Sequence, residues 1–161
     1  MNELIKFDFV KRIKEQLDVT TTTDEKGFSL PIKGTKRAAG YDFINPEQVI
    51  IQPKEIKIVK TGIKAYFPDD IALLLLNRSS NAKKKGLVLM NGVGLIDADY
   101  VDNEDNEGEI GFMFMNITEE PVTINEGDKL GQGMFVKYFD TSDYNSSNVS
   151  DRTGGWGSTG I

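Results

Sequence analysis

The chain has 161 residues, a net charge of −6 from 19 basic and 25 acidic side chains, and neither cysteine nor histidine. That length supports one domain, and the missing Cys and His exclude disulfides, thiol nucleophiles, Ser–His triads and nearly every zinc site. A metal would have to be a hard cation on oxygen ligands, and the acidic balance argues against a duplex nucleic-acid binder, which needs surplus Lys and Arg to displace counterions.

The first segment, MNELIKFDFVKRIKEQL, mixes charge with apolar residues and lacks the uninterrupted apolar stretch of a signal peptide. No run of eighteen apolar residues follows, so no membrane span is expected, and the expected location is the cytoplasm of a bacterial or phage-infected cell. A strand is predicted over 4–10, although FDFVKRIKEQL also fits a helical turn or two. Further strands are predicted at 48–51, 55–66, 71–76, 87–90, 109–116, 121–124 and 130–138. Turn-forming NPEQ, YFPDD, NGVG, DNEDNEG and NEGD separate them, and SNAKKKG fits a short helix. Many short strands at this spacing predict an all-β sandwich or jelly roll. From Asp140 to Asp151 the composition turns polar and poor in core formers, which reads as a linker.

Three stretches carry chemistry. In NRSSNAKKKG (77–86), Arg78, Ser79 and Ser80 stand at a helix start and offer donors that can hold phosphate without a large net charge. NGVGLIDADY (91–100) is expected to form a tight hairpin whose backbone approaches a flat base, with Asp97 placed to orient or deprotonate a water. RTGGWGSTGI carries the chain's only Trp among glycines and hydroxyls. Such an arm can stack Trp156 on a ring and bring Arg152, Ser158 and Thr159 to phosphates. Taken singly, the first two stretches read more simply as a capped helix and a surface turn; the tail, which in a structural protein would be a frayed terminus, is harder to explain that way. The linker, at roughly 3.3 Å per residue, spans about 40 Å, enough to reach a neighbouring subunit.

In this order the segments resemble the trimeric dUTPase family. AAGYDF (38–43), NRSSNAKKKG, NGVGLIDADY, GDKLGQGMF (127–135) and RTGGWGSTG (152–160) are similar to its five motifs. The resemblance implies a distorted jelly-roll subunit over 1–139, a linker over 140–151 and a lid arm over 152–161. It implies a homotrimer with exchanged C-terminal arms, whose sites draw on all three chains. It further implies hydrolysis of dUTP to dUMP and pyrophosphate with Mg²⁺, limiting uracil in DNA and supplying dUMP for dTMP synthesis.

Carried over by position, Asn91, Gly94 and Ile96 with the turn backbone hold uracil, and Tyr100 lies under the deoxyribose. Asp97 positions the attacking water. Arg78, Ser79, Ser80 and Gln132 hold the phosphate chain. Trp156 and Gly157 cover the uracil, while Arg152, Ser158 and Thr159 grip the outer phosphates. No direct protein ligand to the metal is implied: Mg²⁺ rides on phosphates and water, with Asp42 near its water shell.

The chain departs from the family pattern at several positions. Asn77 replaces the usual Pro, Gly131 and Gly133 replace larger residues, and one residue fewer separates Arg152 from the glycine pair. DNEDNE (102–107) is an insertion that extends the hairpin. A solvated loop is the simpler reading of it; a protrusion binding a protein partner or a further metal is the sharper one. Two rivals were weighed against hydrolysis. A dCTP deaminase carries a catalytic Glu three residues before an Asn, but here Met113 precedes Asn116 and cannot shuttle protons. A non-catalytic or moonlighting protein that binds a regulator through the same scaffold is the alternative of a different class.

Overall fold

A computed structural model describes residues 4–17, 28–141 and 150–157. It is almost entirely β-structure, and every strand pairing is antiparallel. The largest sheet has five strands in the order β2 (Ile32–Lys33), β3 (Tyr41–Ile44), β12 (Lys129–Lys137), β7 (Ile71–Leu76), β9 (Gly94–Ile96). A second has the order β5 (Ile56–Lys60), β10 (Gly111–Asn116), β8 (Leu87–Leu89). Two-stranded sheets pair β1 (Lys6–Phe9) with β6 (Ile63–Tyr66), and β11 (Val122–Ile124) with β4 (Val49–Ile51). No helix among the described residues is long and apolar enough to cross a membrane.

The core lies between the two larger sheets. Phe43, Leu73, Leu75 and Leu130 come from one, and Val59, Leu87, Phe112 and Phe114 from the other, all buried. Phe43 meets Phe112 edge-on at 5.5 Å, a geometry that aligns ring edges with ring faces. This is the jelly-roll sandwich expected from the spacing of the strands.

The stretch 55–66, expected as one strand, is two. Thr61 and Gly62 break it: the Thr61 hydroxyl donates to the Ile110 carbonyl at 2.7 Å, and Gly62 turns through φ +73°. β5 therefore pairs with β10 whereas β6 pairs with β1. A Cβ at Gly62 would lie 2.6 Å from Ile13. Ile13, in the short helix α1 (Lys11–Lys14), is fully buried against this break. The N-terminal segment is thus both of its expected forms, a strand and then a helical turn.

β3 was not foreseen. Its four residues, YDFI, are too few to show a period, and pairing with β12 makes them a strand. The helix expected at SNAKKKG is a turn that widens to π geometry over Asn81–Lys85 and ends at Gly86, φ +62°.

Candidate active site

Two groups of the residues singled out from the sequence lie at two places on the chain. In the first, β3, the end of β7 and β12 bring together Asp42, Arg78 and Gln132. Gln132 faces Asp42 on one side and Leu76 on the other in the strand register. Its amide donates to the Asp42 carboxylate at 3.2 Å, and Lys129 pairs with the same carboxylate at 2.7 Å. Burial alone would raise the Asp42 pKa. The hydrogen bonds from Lys129 and Gln132, with the positive charges of Lys129 and Arg78, outweigh it and hold the group below its ordinary value.

Arg78 is the second residue after β7, and Asn77 between them sets its backbone. The Asn77 side-chain oxygen accepts the Arg78 N–H at 2.9 Å, and its amide donates to the Leu87 carbonyl at 3.0 Å. Buried Asn81 then donates to Asn77 and, at 2.6 Å, to the Leu130 carbonyl. An Asn thus does by hydrogen bonding what a Pro would do by ring closure, and presents half-buried Arg78 and exposed Ser79 at the sheet end.

The second group surrounds a cleft of about 210 Å³ whose walls include Asn91, Gly94, Ile96, Asp97, Tyr100 and the arm residues Arg152 and Trp156. The turn at its rim is tight: Gly92 donates to the Leu89 carbonyl at 2.9 Å, with φ +71°. It does not close a hairpin as expected. β8 before it pairs with β10, and β9 after it pairs with β7, so the turn carries the chain from one sheet to the other. Gly94 is required where β9 crosses β7, because a Cβ there would come within 2.9 Å of Leu75.

Asp97 follows β9 and precedes a 3₁₀ turn over Ala98–Tyr100. Tyr100 is buried, and its hydroxyl donates to the Glu109 carbonyl at 2.8 Å. Burial raises its pKa, with a hydrogen bond from Asn106 opposing. Asp97 itself is ion-paired: Arg152 Nη2 lies 2.6 Å from it, and Arg152 Nε lies 2.9 Å from Asp99. The same guanidinium sits 5.7 Å over the Tyr100 ring. Arg152, expected on phosphates, rests on the two carboxylates. Ser158 and Thr159 lie outside the described residues.

The insertion 102–107 does not extend a hairpin: Asp102, Glu104 and Asp105 are exposed, while the loop is tied to the body by side-chain contacts. Asp102 and Glu107 pair with the buried Lys64 ammonium at 2.5 and 2.9 Å, and the Tyr66 hydroxyl donates to Asp102 at 2.8 Å. Burial lowers the Lys64 pKa, and the two carboxylates more than reverse this, so the group is held well above its ordinary value. Lys64, Asn103, Asn106, Glu109 and Lys129 make these contacts; the sequence assigned none of them a role, although Asn103 and Asn106 lie in the insertion and Lys129 in GDKLGQGMF. A buried Lys two residues from a Gly turn gives no pattern to read, since its partners come from elsewhere in the chain.

No three carboxylates converge as a metal cage among the described residues. Asp42 is taken up by Lys129, and Asp97 with Asp99 by Arg152.

A family model described as dUTPase matches residues 26–160. The deoxyuridine 5'-triphosphate nucleotidohydrolase of Lactococcus lactis is 42% identical over 143 residues, 89% of this chain and 95% of that enzyme. The enzyme of the same name from Shewanella halifaxensis is 39% identical over 83% of this chain and 88% of its own length. Among solved structures, the dUTPase of Streptococcus mutans superposes with a TM-score of 0.74 at 38% identity, covering 84% of this chain and 98% of that one. The dUTPase from phage phi11 of S. aureus shares the fold, with a TM-score of 0.68 at 22% identity over 88% of this chain and 95% of that one.

Proposed function

The chain belongs to the dUTPase family, and on that premise we propose that it hydrolyses dUTP to dUMP and pyrophosphate at a site completed between subunits of a homotrimer. The observation that carries this reading is one cleft lined by the Asn91–Gly94 turn, Asp97, Tyr100 and the arm's Trp156. The turn offers backbone groups to a uracil edge, and Gly94 lets a flat base approach closely. Buried Tyr100 supplies a firm platform for the deoxyribose, which rejects a ribose by sterics. Exposed Trp156 supplies a face to cover the base.

The reaction needs a water aligned behind the α-phosphorus. Asp97 is the carboxylate within reach of that place; it orients the water and accepts its proton as the new P–O bond forms and pyrophosphate leaves. Arg152 moves from Asp97 and Asp99 to the phosphates as the nucleotide binds, which releases Asp97 for the water. Arg78, Ser79, Ser80 and Gln132 hold the phosphate chain. Mg²⁺ carried on the phosphates supplies offset for the negative charge that develops on the leaving group. Most of the rate gain then comes from positioning and fixed charges.

Strand register supports a shared site. Leu73 faces Ile96, so Asp97 begins beside Ala72. Arg78 lies beyond the far end of that strand, roughly 20 Å away at the usual rise per residue. One chain therefore keeps the phosphate-holding group and the water-holding carboxylate too far apart to grip one α-phosphate. Ile50, Ile56 and Ile58 are 45, 52 and 40% exposed on β4 and β5, an apolar surface suited to subunit contact. The same reading places the enzyme in the cytoplasm, with the nucleotide pool. Met113 in β10 leaves no proton-transfer group where a deaminase needs one.

The test is incubation with Mg²⁺ and, separately, dUTP, dCTP, dTTP and UTP, followed by quantification of monophosphate and pyrophosphate. Selective release of dUMP and pyrophosphate is expected, with Asp97→Asn lowering kcat by about 10²–10⁴-fold. Survival of dUTP in the presence of folded trimer would overturn the reading and leave a binding protein on this scaffold.

A further inference from the structure

The acidic insertion has no task in the hydrolytic reading, yet its side chains reach both the sugar platform and the arm. The Asn106 amide donates to the Tyr100 hydroxyl at 2.8 Å, and the Asn106 oxygen accepts the Gly108 N–H at 3.0 Å. These contacts have a forced direction. Gly108 N–H can only donate, so the Asn106 oxygen must face it and the amide nitrogen must face Tyr100. The Glu109 carbonyl can only accept, so the Tyr100 hydroxyl spends its proton there, at 2.8 Å, and receives from Asn106. Asn103 donates to the Tyr100 carbonyl and to the Asn106 oxygen, both at 2.7 Å.

The neighbouring Asp105 takes hold of the arm. Its carboxylate accepts the Gly155 N–H at 2.8 Å. Gly155 is buried there, and a Cβ on it would lie 2.8 Å from the Asn106 amide nitrogen. The loop that offers these groups is clamped at both ends. Asp102 and Glu107 hold Lys64, Glu107 also accepts the Lys11 N–H at 3.0 Å, and both acidic residues sit at positive φ. L-residues adopt that conformation only where surrounding contacts enforce it.

We propose that Asp105 and Asn106 are positioning residues: Asp105 seats the glycine-rich arm by its Gly155 N–H, and Asn106 fixes the Tyr100 hydroxyl beneath the sugar. The insertion thereby joins lid and platform in one rigid piece. The seat is the same for an arm from this chain or from a neighbour. The proposal rests on the hydrolytic reading, in which Tyr100 and Trp156 contact the nucleotide.

The experiment compares Asp105→Ala, the isosteric Asp105→Asn and Asn106→Asp in the full chain and in a chain ending at residue 149. In the full chain Asp105→Ala lowers kcat/KM for dUTP about 10-fold, the scale of one hydrogen bond to a charged group, and Asp105→Asn, which keeps an acceptor oxygen, lowers it less. In the shortened chain neither has an effect. Asn106→Asp replaces the donor with an acceptor at constant size and lowers kcat/KM in both chains, because Tyr100 belongs to the body. Acrylamide quenching of Trp156 without nucleotide rises in Asp105→Ala, and melting temperatures check that each variant is folded.

Loss from Asp105→Ala equal in both chains, or none in the full chain while arm removal is damaging, overturns the seat. A shortened chain as active as the full one overturns it as well. If the full chain leaves dUTP intact, the hydrolytic reading fails, and the quenching still decides the seat: no change on Asp105→Ala overturns it.

Discussion

At Gly131 the packing leaves no space for a methyl group. A Cβ there would meet Phe112 Cε1 at 2.2 Å, and the strand register slips between Lys129 and Gly131. The glycine at this position is therefore a requirement of the aromatic core, with Gly133 serving Phe43 in the same way at 2.7 Å. Gly131→Ala is expected to destabilise the fold by about 1–3 kcal/mol through overpacking, read from denaturant midpoints. Asp42 gives a second residue-scale expectation. Its carboxyl is held below the ordinary 3.8 by Lys129 and Gln132 against the opposing effect of burial. A group depressed by folding contributes stability that is complete above its unfolded pKa and is lost as pH falls through its folded one. Asp42→Asn should therefore cost about 1 kcal/mol at neutral pH and flatten the decline of stability below about pH 4. Melting temperatures from pH 7 to 2 check it; parallel curves for the two proteins would refute it.

At the scale of elements, the insertion shows how a loop becomes structural. Four acidic residues in six invite the reading of a solvated protrusion. Lys64 changes it, because an ammonium with only 8% of its side chain exposed must have anionic partners, and Asp102 and Glu107 are those partners. Removing 102–107 should cost about 2–3 kcal/mol, much of it from stranding Lys64. Adding Lys64→Met to the deletion should return part of that loss. A melting temperature unchanged by the deletion, or a double variant less stable than the deletion alone, would show that Lys64 is not what the loop satisfies. The break at Thr61–Gly62 makes a related point: Ile13 occupies the space over Gly62, so the N-terminal segment joins the same body as Lys64 and the insertion.

For the whole molecule, the question is where one site ends and the next chain begins. The group proposed to hold phosphate, Asp42, Arg78 and Gln132, lies at one end of β7, and the Asp97 cleft at the other. If sites form between subunits, Asp97→Asn and Arg78→Ala damage different halves. Mixing the two inactive variants under conditions of subunit exchange should then restore activity to about a quarter of wild type, since about one site in four takes both intact halves in a random C3 assembly. A mixture as inactive as its components would place each site within a single chain.

The β class and most strand positions were legible in the sequence alone, as were the stretches proposed to carry the chemistry. Those properties are local: alternating or continuous apolar runs bounded by Gly, Pro and Asn specify strands, and Arg-Ser-Ser, the Asp97 turn and the Trp156 arm are contiguous stretches. It could not show that the turn at Asn91–Gly94 crosses between sheets, because turn chemistry fixes a reversal of direction but not the partners of the strands on either side. Nor could it show that Arg152 rests on Asp97 and Asp99, that Asn77 bonds Leu87 and Asn81 where the family pattern has a proline, or that Asp102 and Glu107 of the acidic loop pair with Lys64. Each of these depends on groups far apart in the chain meeting in space, and only the tertiary structure decides which charge neutralises which, and which glycine an aromatic ring has made obligatory.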